Sequence, residues 1–349
     1  MSLNYLVRCF MLVALSASWN PISAIDYSGN NEWENPTVFE RGKEKPHAWF
    51  KTSYVKSLNG MWRFRYDDNI KQAPTDFYLS HYDDSKWAKI PVPSNWELQG
   101  FGTPIFINFK YNWTPNPPYI DIPNPVGTYR TSFTVPNNWK DREVILHFGS
   151  ITGYARVYVN GKEVGMTKCS KTPAEFDITP YLMSGNNNLA VQVYRYHDGS
   201  YMEDQDFWRI TGIEREVYLQ AYQKSCVWDY AIEATPTNQY RNGNFKADVT
   251  LRNFGKSSVN GSLLLRLLDA NGKIVYQESK AVSGQEEYKT LSFAKAIKQA
   301  KLWSAEKPNL YKCQLIYGKD TVKANVGFRE VKIENSRLMV NGKIVYIKG

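Results

Sequence analysis

Short runs of alternating or mostly apolar residues, separated by turn residues, dominate the chain from Asp26 onward, and no helical repeat competes with them. Six Asn-Gly pairs, at 59/60, 160/161, 242/243, 260/261, 271/272 and 341/342, supply residues that tolerate the positive φ of tight hairpins. The pattern predicts an all-β chain. The clearest runs before residue 222 predict strands at 61–66, 128–135, 143–148, 154–159, 188–196 and 215–221.

A change near residue 222 divides the chain into two predicted domains. The part before it is rich in Trp and Pro and has a long loop at 100–126, which favours a jelly-roll sandwich over 25–222. The part after it is typical of an immunoglobulin-like sandwich over 223–334, although it lacks the Cys-Trp-Cys spacing of an antibody domain. Its seven predicted strands are 227–234, 245–251, 262–268, 274–279, 288–293, 310–316 and 321–328.

The composition agrees with two globular domains. The 349 residues exceed the usual length of one domain, and 42% of them are hydrophobic. Aromatic residues reach 15%, and flat rings can either fill β-rich cores or form platforms for sugars; we expect most of them in the cores. The net charge of +9 is scattered without a run of like charges, so we expect solubility rather than a nucleic-acid partner.

The first 24 residues are predicted to be a secretory signal peptide. Arg8 supplies its positive charge, residues 9–15 its apolar run and residues 22–24 its cleavage site. The apolar run is too short to span a bilayer, so we predict a periplasmic or secreted protein with no membrane partner after cleavage. Three cysteines then remain with long, irregular spacings, which excludes a CxxC zinc site and leaves at least one free thiol.

The densest group of polar and aromatic residues is DGSYMEDQDFWRITGIER at 198–215. Carboxylates accept hydrogen bonds from hydroxyl groups and rings stack on C–H faces, so the four acids at 198–206, followed by a Trp and an Arg on the same loop, suit a polyol site. The alternative is a surface loop whose acids pair with Arg209 and Arg215. The four histidines are dispersed, and we expect His147, in mid-strand, to lie in the core. GxSxG, HExxH and Gly-rich phosphate motifs are absent, while hydrolysis by paired carboxylates is left open.

This loop resembles the signature of glycoside hydrolase family 2, in particular that of the lactase-type β-galactosidases. Further segments resemble the same family in the same order: EWENP at 32–36, LNGMWRF at 58–64, PSNWE at 93–97 and PIFIN at 104–108. LWSAEKPNLY at 302–311 is similar to the element that closes the immunoglobulin-like domain in many family members. The DQDFWR loop together with PSNW favours the galactosidase branch over the glucuronidase and mannosidase branches.

The resemblance implies that residues 335–349 begin a catalytic TIM barrel and that both catalytic carboxylates lie beyond Gly349, with none in this chain. The last apolar hairpin has no cap, so we expect the chain to continue. By resemblance, Asp206 reaches into the barrel mouth and contacts a galactose hydroxyl and a sodium ion. Asn95 contacts the substrate; its alternative is a turn or cap role before the next residue. Trp208 and Arg209 are assigned to packing and to orienting the loop.

The resemblance also implies a structural magnesium, alongside the sodium, and a homo-oligomeric full-length enzyme. Family members hold the magnesium between the N-terminal EWENP-type segment, a Gln after a hairpin and the Asp of Asp-Gly-Ser. Here Lys168 replaces that Gln, beside Glu32, Asn35 and Asp198. An ammonium has no lone pair for a metal, so we predict that Lys168 pairs with Glu32 or Asp198 in place of the ion. The alternative is a lysine that points to solvent.

The sequence therefore predicts the N-terminal part of an exported, retaining β-galactosidase that acts on terminal β-D-galactosides in carbohydrate catabolism. A stand-alone, non-catalytic carbohydrate-binding module is the alternative and would use the same loop for recognition. A pair of structural, adhesion-like sandwiches would explain the strands but would leave the PSNW and DQD segments without a role.

Overall fold

A computed structural model describes residues 29, 31–106, 110–203, 205–255 and 257–347. In these ranges the chain forms β-strands and short 3₁₀ helices and no α-helix, so the all-β prediction is confirmed. None of the described helices is long and apolar enough to cross a membrane. The predicted signal peptide, 1–24, lies outside the described residues. The 3₁₀ helices are Glu32–Glu34, Ile70–Gln72, Trp96–Gln99, Asn137–Trp139, Thr179–Tyr181 and Asp198–Tyr201.

The first sandwich is built from the strands up to Tyr222. They are β1 (Glu40–Arg41), β2 (Val55–Ser57), β3 (Gly60–Asp67), β4 (Ala88–Val92), β5 (Ser94–Asn95), β6 (Val126–Thr134), β7 (Glu143–Phe148), β8 (Ile151–Thr152), β9 (Tyr154–Val159), β10 (Lys162–Thr167), β11 (Ala174–Asp177), β12 (Asn186–Tyr194), β13 (Gly212–Ile213) and β14 (Val217–Tyr222). They form antiparallel sheets in the orders β1-β10-β9-β12-β6-β3-β4, β11-β7-β14-β2 and β5-β13-β8.

The core of this sandwich lies between its two larger sheets. Trp62, Phe64 and Tyr129 enter it from one sheet, and Leu146 and Phe148 enter it from the other. All five side chains are fully buried, and each large apolar side chain contributes about 2 to 3 kcal/mol by leaving water. The expectation that most aromatic residues fill cores is confirmed here.

The second sandwich has seven strands, each overlapping one of the seven predicted runs. They are β15 (Ser225–Thr237), β16 (Asn242–Asn253), β17 (Val259–Leu268), β18 (Ile274–Gly284), β19 (Tyr288–Ile297), β20 (Tyr311–Tyr317) and β21 (Asp320–Val326). The sheets have the orders β15-β16-β19 and β18-β17-β20-β21, as in an immunoglobulin-like fold. Their inward residues, including Phe245, Leu265 and Phe293, share a second core.

A small antiparallel sheet follows, formed by β22 (Val331–Glu334), β23 (Arg337–Val340) and β24 (Lys343–Ile344). β23 and β24 lie in the segment 335–349 that the resemblance assigns to the start of a barrel, whereas β22 belongs to the end of the predicted immunoglobulin-like domain. The turn between β23 and β24 is one of two Asn-Gly pairs in which both residues adopt positive φ; the other joins β9 to β10. The pairs at 242/243 and 260/261 lie inside strands instead, so the hairpin interpretation is wrong for those two.

Candidate functional site

The connection from β12 to β13, which we call the acidic loop (residues 198–211), is fixed at both ends. At its start, the His197 backbone N–H donates to Ser200 Oγ over 3.0 Å. At its end, the Thr211 backbone N–H donates to Glu97 Oε2 over 2.7 Å. Hydrogen bonds therefore hold both ends of the loop.

Arg195 joins the acidic loop to the long loop (residues 100–126). Its Nη2 donates to the backbone oxygens of Thr103 and Arg209, each over 3.0 Å, and its guanidinium lies 3.6 Å from Glu97 Oε1. Both side chains of this ion pair are almost fully buried. Burial raises the pKa of Glu97, although the hydrogen bond from Thr211 and the charge of Arg195 oppose that shift. One buried pair thus positions two loops.

Two acids of the acidic loop, Asp198 and Glu203, lie on either side of the buried His197 ring. Asp198 turns inward and its Oδ2 lies 2.8 Å from Lys168 Nζ, while Glu203 lies 3.6 Å from the buried His197 ring. Burial alone would lower the pKa of His197, but the adjacent carboxylates of Asp198 and Glu203 outweigh burial and raise it. The suggested pairing with the arginines at 209 and 215 is therefore wrong for these two acids. Asp204 lies outside the described residues.

Asp206 and Trp208 lie in the exposed part of the acidic loop, residues 205–208. Asp206 is exposed, between Gln205 and Phe207, whose backbone groups close a tight turn. Trp208 is 54% exposed and touches the Phe106 ring at a centroid distance of 5.5 Å. The contact with Phe106 agrees with the assignment of Trp208 to packing, while the exposed half of the ring is also available as a platform.

Arg209 contacts the long loop, as its assignment to loop orientation requires. Its backbone N–H donates to Ile105 O over 2.7 Å, and its guanidinium lies 5.7 Å from the centroid of the Tyr111 ring. The two loops are therefore held together beyond the Arg195 anchor.

Asn95 lies on β5, directly opposite Gly212, the first residue after the acidic loop. Its Nδ2 donates to Glu214 Oε1 over 2.9 Å, and Lys171 Nζ approaches the same oxygen at 2.5 Å. Lys171 in turn lies 5.5 Å from the Phe207 ring, beside Asp206. Contacts therefore lead from Asn95 to the neighbourhood of Asp206. Asn95 occupies the N-cap position of the helix Trp96–Gln99, as the alternative expects, but its side chain makes no cap hydrogen bond.

A cavity of about 280 Å³ adjoins this chain of contacts. Lys171, Arg195, Glu203, Phe207 and Trp208 contribute to its walls. The walls combine ring faces with hydrogen-bond donors and acceptors, which is the mixture that binds a polyhydroxylated ligand.

Lys168 is buried, with 4% of its surface exposed, so the alternative that it points to solvent is wrong. Its Nζ donates to Glu32 O, Asn35 O and Asp198 Oδ2, each over 2.8 Å. The predicted pairing with Asp198 is confirmed, whereas Glu32 contributes its backbone oxygen rather than its carboxylate. These residues do not fit a magnesium ion, because an ammonium already takes the three oxygens. Within the described ranges no group of three or more His, Cys, Asp or Glu side chains could hold a metal.

Two other sequence expectations concern buried groups. His147 is buried in β7, as predicted, and its Nδ1 lies 2.7 Å from Glu175 Oε1. The three cysteines of the described residues are all free, which agrees with the expectation of at least one free thiol: Cys226 and Cys313 are buried, and Cys169 is partly exposed.

Comparisons with known proteins agree with this architecture. Residues 55–223 match the model of the glycosyl hydrolases family 2 sugar binding domain, and residues 226–329 match that of glycosyl hydrolases family 2. A beta-galactosidase from Priestia megaterium is 35% identical over 354 residues, which cover 92% of this chain and 34% of that protein. One from Lactobacillus delbrueckii subsp. bulgaricus is 35% identical over 336 residues, covering 90% and 33%.

A solved Bacteroides uniformis beta-glucuronidase shares the fold. Its TM-score is 0.70 at 22% identity, over 83% of this chain and 34% of that chain. This chain spans about a third of the length of the curated relatives that it matches. With two adjacent domain models matched in order and relatives aligned over nine-tenths of its length, the chain belongs to glycosyl hydrolase family 2.

Proposed function

We propose that this chain is the N-terminal part of a retaining β-galactosidase that hydrolyses terminal, non-reducing β-D-galactosides. Its curated relatives named beta-galactosidase support this proposal. The structural observation that carries it is the series of contacts that links Asn95, through Glu214 and Lys171, to the exposed end of the acidic loop. This arrangement offers an amide, a carboxylate and an exposed indole at one edge of the sandwich.

In this proposal Asp206 and Asn95 bind the sugar. The exposed Asp206 carboxylate accepts a hydrogen bond from a galactose hydroxyl, and the Asn95 amide offers a second polar contact. The buried Arg195–Glu97 pair fixes the loop base, so little conformational entropy is lost when the sugar binds. Asp206 also supplies one oxygen to a sodium ion. A single carboxylate cannot complete such a site, so the remaining oxygen ligands come from elsewhere in the whole protein.

The catalytic carboxylates are proposed to lie beyond Gly349. A retaining glycosidase needs an acid/base and a nucleophile about 5 Å apart, one of which forms a covalent intermediate. We therefore expect the purified chain alone not to hydrolyse an aryl β-galactoside. Turnover by this chain, free of host galactosidase, would contradict the proposal. Galactose binding by the chain, together with an inactive whole protein, would favour a carbohydrate-binding module.

The role of Asp206 is tested in the whole protein. Asp206→Ala removes one charged contact to the transition state. We expect kcat/KM to fall about 30- to 1,000-fold, which corresponds to a loss of roughly 2 to 4 kcal/mol in transition-state stabilisation. Asp204→Ala removes the neighbouring acid of the same loop and is the matched control. An equal loss in a folded Asp204→Ala variant would show that the wrong acid was assigned.

We further propose that the protein is exported to the periplasm or secreted, and that the whole enzyme is a homo-oligomer. Residues 1–24 have the composition of a cleavable signal. Cell fractionation with N-terminal sequencing tests export, and Ile25 is the expected first residue of the mature protein. Light scattering on the whole protein tests the oligomer.

A further inference from the structure

The ammonium of Lys168 has three hydrogen-bond donors, and each meets one oxygen. Glu32 O, Asn35 O and Asp198 Oδ2 all lie 2.8 Å from Nζ, and the lysine side chain is almost completely buried. A buried charge is tolerated only when it is paired and fully hydrogen-bonded, and this ammonium is both. The three oxygens form a cage that is selective for a cation.

The cage joins parts of the chain that are far apart in sequence. Two of its oxygens belong to the N-terminal segment (residues 31–38), one belongs to the start of the acidic loop, and Lys168 directly follows β10. Trp33 of the N-terminal segment packs edge-on against Tyr194 with ring centroids 5.0 Å apart. Glu34 Oε1 accepts a hydrogen bond from the Ile120 backbone N–H over 3.0 Å. The segment therefore reaches the long loop, and Lys168 fastens it.

The surroundings of the cage oppose a divalent ion. Asp198 Oδ1 accepts a hydrogen bond from the Gly199 N–H over 2.8 Å and lies 3.4 Å from His197 Nδ1, so both carboxylate oxygens are engaged. A magnesium ion needs oxygen ligands at about 2.0 to 2.1 Å in octahedral geometry, which the ammonium at the centre of the cage prevents.

We propose that Lys168 is a built-in cation that takes the place of a structural divalent metal, so that docking of the N-terminal segment is independent of dissolved metal ions. The ammonium supplies the positive charge and three directed contacts. Because the chain itself carries this cation, neither chelators nor changes in metal concentration can remove it.

Thermal unfolding of the chain in EDTA and in 10 mM MgCl₂ or CaCl₂ tests the proposal without any variant. We expect the unfolding temperature of the native sequence to be the same in all three buffers. We also expect calorimetric titration with Mg²⁺ to show no binding. A stabilisation by Mg²⁺ that EDTA reverses would overturn the proposal.

Two variants distinguish the role of the three oxygens from the role of the Lys168 ammonium. Lys168→Gln supplies an oxygen, whereas Lys168→Met keeps the length but supplies neither charge nor oxygen. In EDTA, both should lose about 5 to 15 °C in unfolding temperature and should expose the N-terminal segment to hydrogen exchange, because a buried carboxylate loses its partner. Mg²⁺ should restore only Lys168→Gln.

The exposed Lys162→Gln, at the start of β10, is the matched control and should change neither measurement. Native-like stability and protection of Lys168→Met would overturn the role of Lys168 as a fastener. Lack of Mg²⁺ rescue in Lys168→Gln would overturn the claim that the cage is a metal position.

Discussion

Glu175 on β11 lies between two histidines at the junction of the two sandwiches. Its Oε2 is 2.7 Å from His47 Nε2, and its Oε1 is 2.7 Å from His147 Nδ1. The His147 ring stacks on Tyr218, and the His47 ring lies 4.3 Å from the Trp228 ring of the second sandwich. Replacement of Glu175 by Gln removes the carboxylate that both imidazoles share.

The size of the effect follows from the pKa of the carboxyl group. Burial would raise the pKa of Glu175, but hydrogen bonds from His147 and His47 outweigh burial and lower it from 4.5 to about 2. The difference of about 2.5 units corresponds to roughly 3 kcal/mol at 1.36 kcal/mol per unit. Because the folded pKa is lowered, this stability is present above the unfolded pKa near 4.5 and is lost as the pH falls towards 2.

His47 sets the upper limit of the pH window. Burial would lower the pKa of His47, but its hydrogen bond to Glu175 outweighs burial and raises the pKa above 6.5. Its contribution is complete below pH 6.5 and disappears as the pH rises through the raised value. The cluster therefore stabilises the fold most between about pH 4.5 and 6.5.

Urea unfolding of the native chain and of Glu175→Gln, followed by Trp fluorescence from pH 3 to 9, measures this contribution. We expect a difference of about 3 kcal/mol near pH 5.5 that shrinks towards pH 3 and above pH 8. The control is Glu216→Gln, which removes a half-exposed pair with Lys51 and should change stability by less than about 1 kcal/mol. A difference that does not vary with pH, or a control effect of equal size, would refute the electrostatic reasoning.

Two further predictions concern buried groups. Arg195→Met leaves the Glu97 carboxylate buried without its cation and should destabilise the chain by about 3 to 5 kcal/mol in thermal unfolding; adding Glu97→Gln should recover part of that loss, and no recovery would argue against the ion pair. Cys313 is fully buried, and burial raises its thiol pKa to about 12, so mass spectrometry should find it alkylated only after denaturation. Rapid labelling of the native chain at Cys313 would contradict this placement.

The strands were predictable from sequence because their signals are local. Alternating apolar residues and turn residues placed β7 and β9 at their observed ends, and all seven strands of the second sandwich were anticipated. The pairing of Lys168 with Asp198 was predictable as well, because Lys168 stands where similar family members have a Gln that binds magnesium. The strands needed only short stretches of chain, whereas the Lys168 pairing needed the family resemblance of three distant segments.

The supports of the candidate site were not predictable in this way. Glu214 meets Asn95 across 119 positions of sequence and meets Lys171 across 43, and neither spacing has a local signature. Glu97 belongs to the PSNWE motif, yet only the fold brings it to the buried Arg195. The exposure of half of the Trp208 ring was not predictable either, because residue type alone does not show which way a ring faces on a loop.

Arg195 holds the acidic loop and the long loop without depending on the identity of their side chains. Arg195 donates to backbone carbonyl oxygens, which every amino acid has. The side chains at 103 and 209 can therefore be replaced without removing these hydrogen bonds. Residues 205–208 lie between the fixed ends and mostly face solvent. A library of sequences at this tip can therefore be screened for new sugar preferences while the sandwich beneath it keeps its stability.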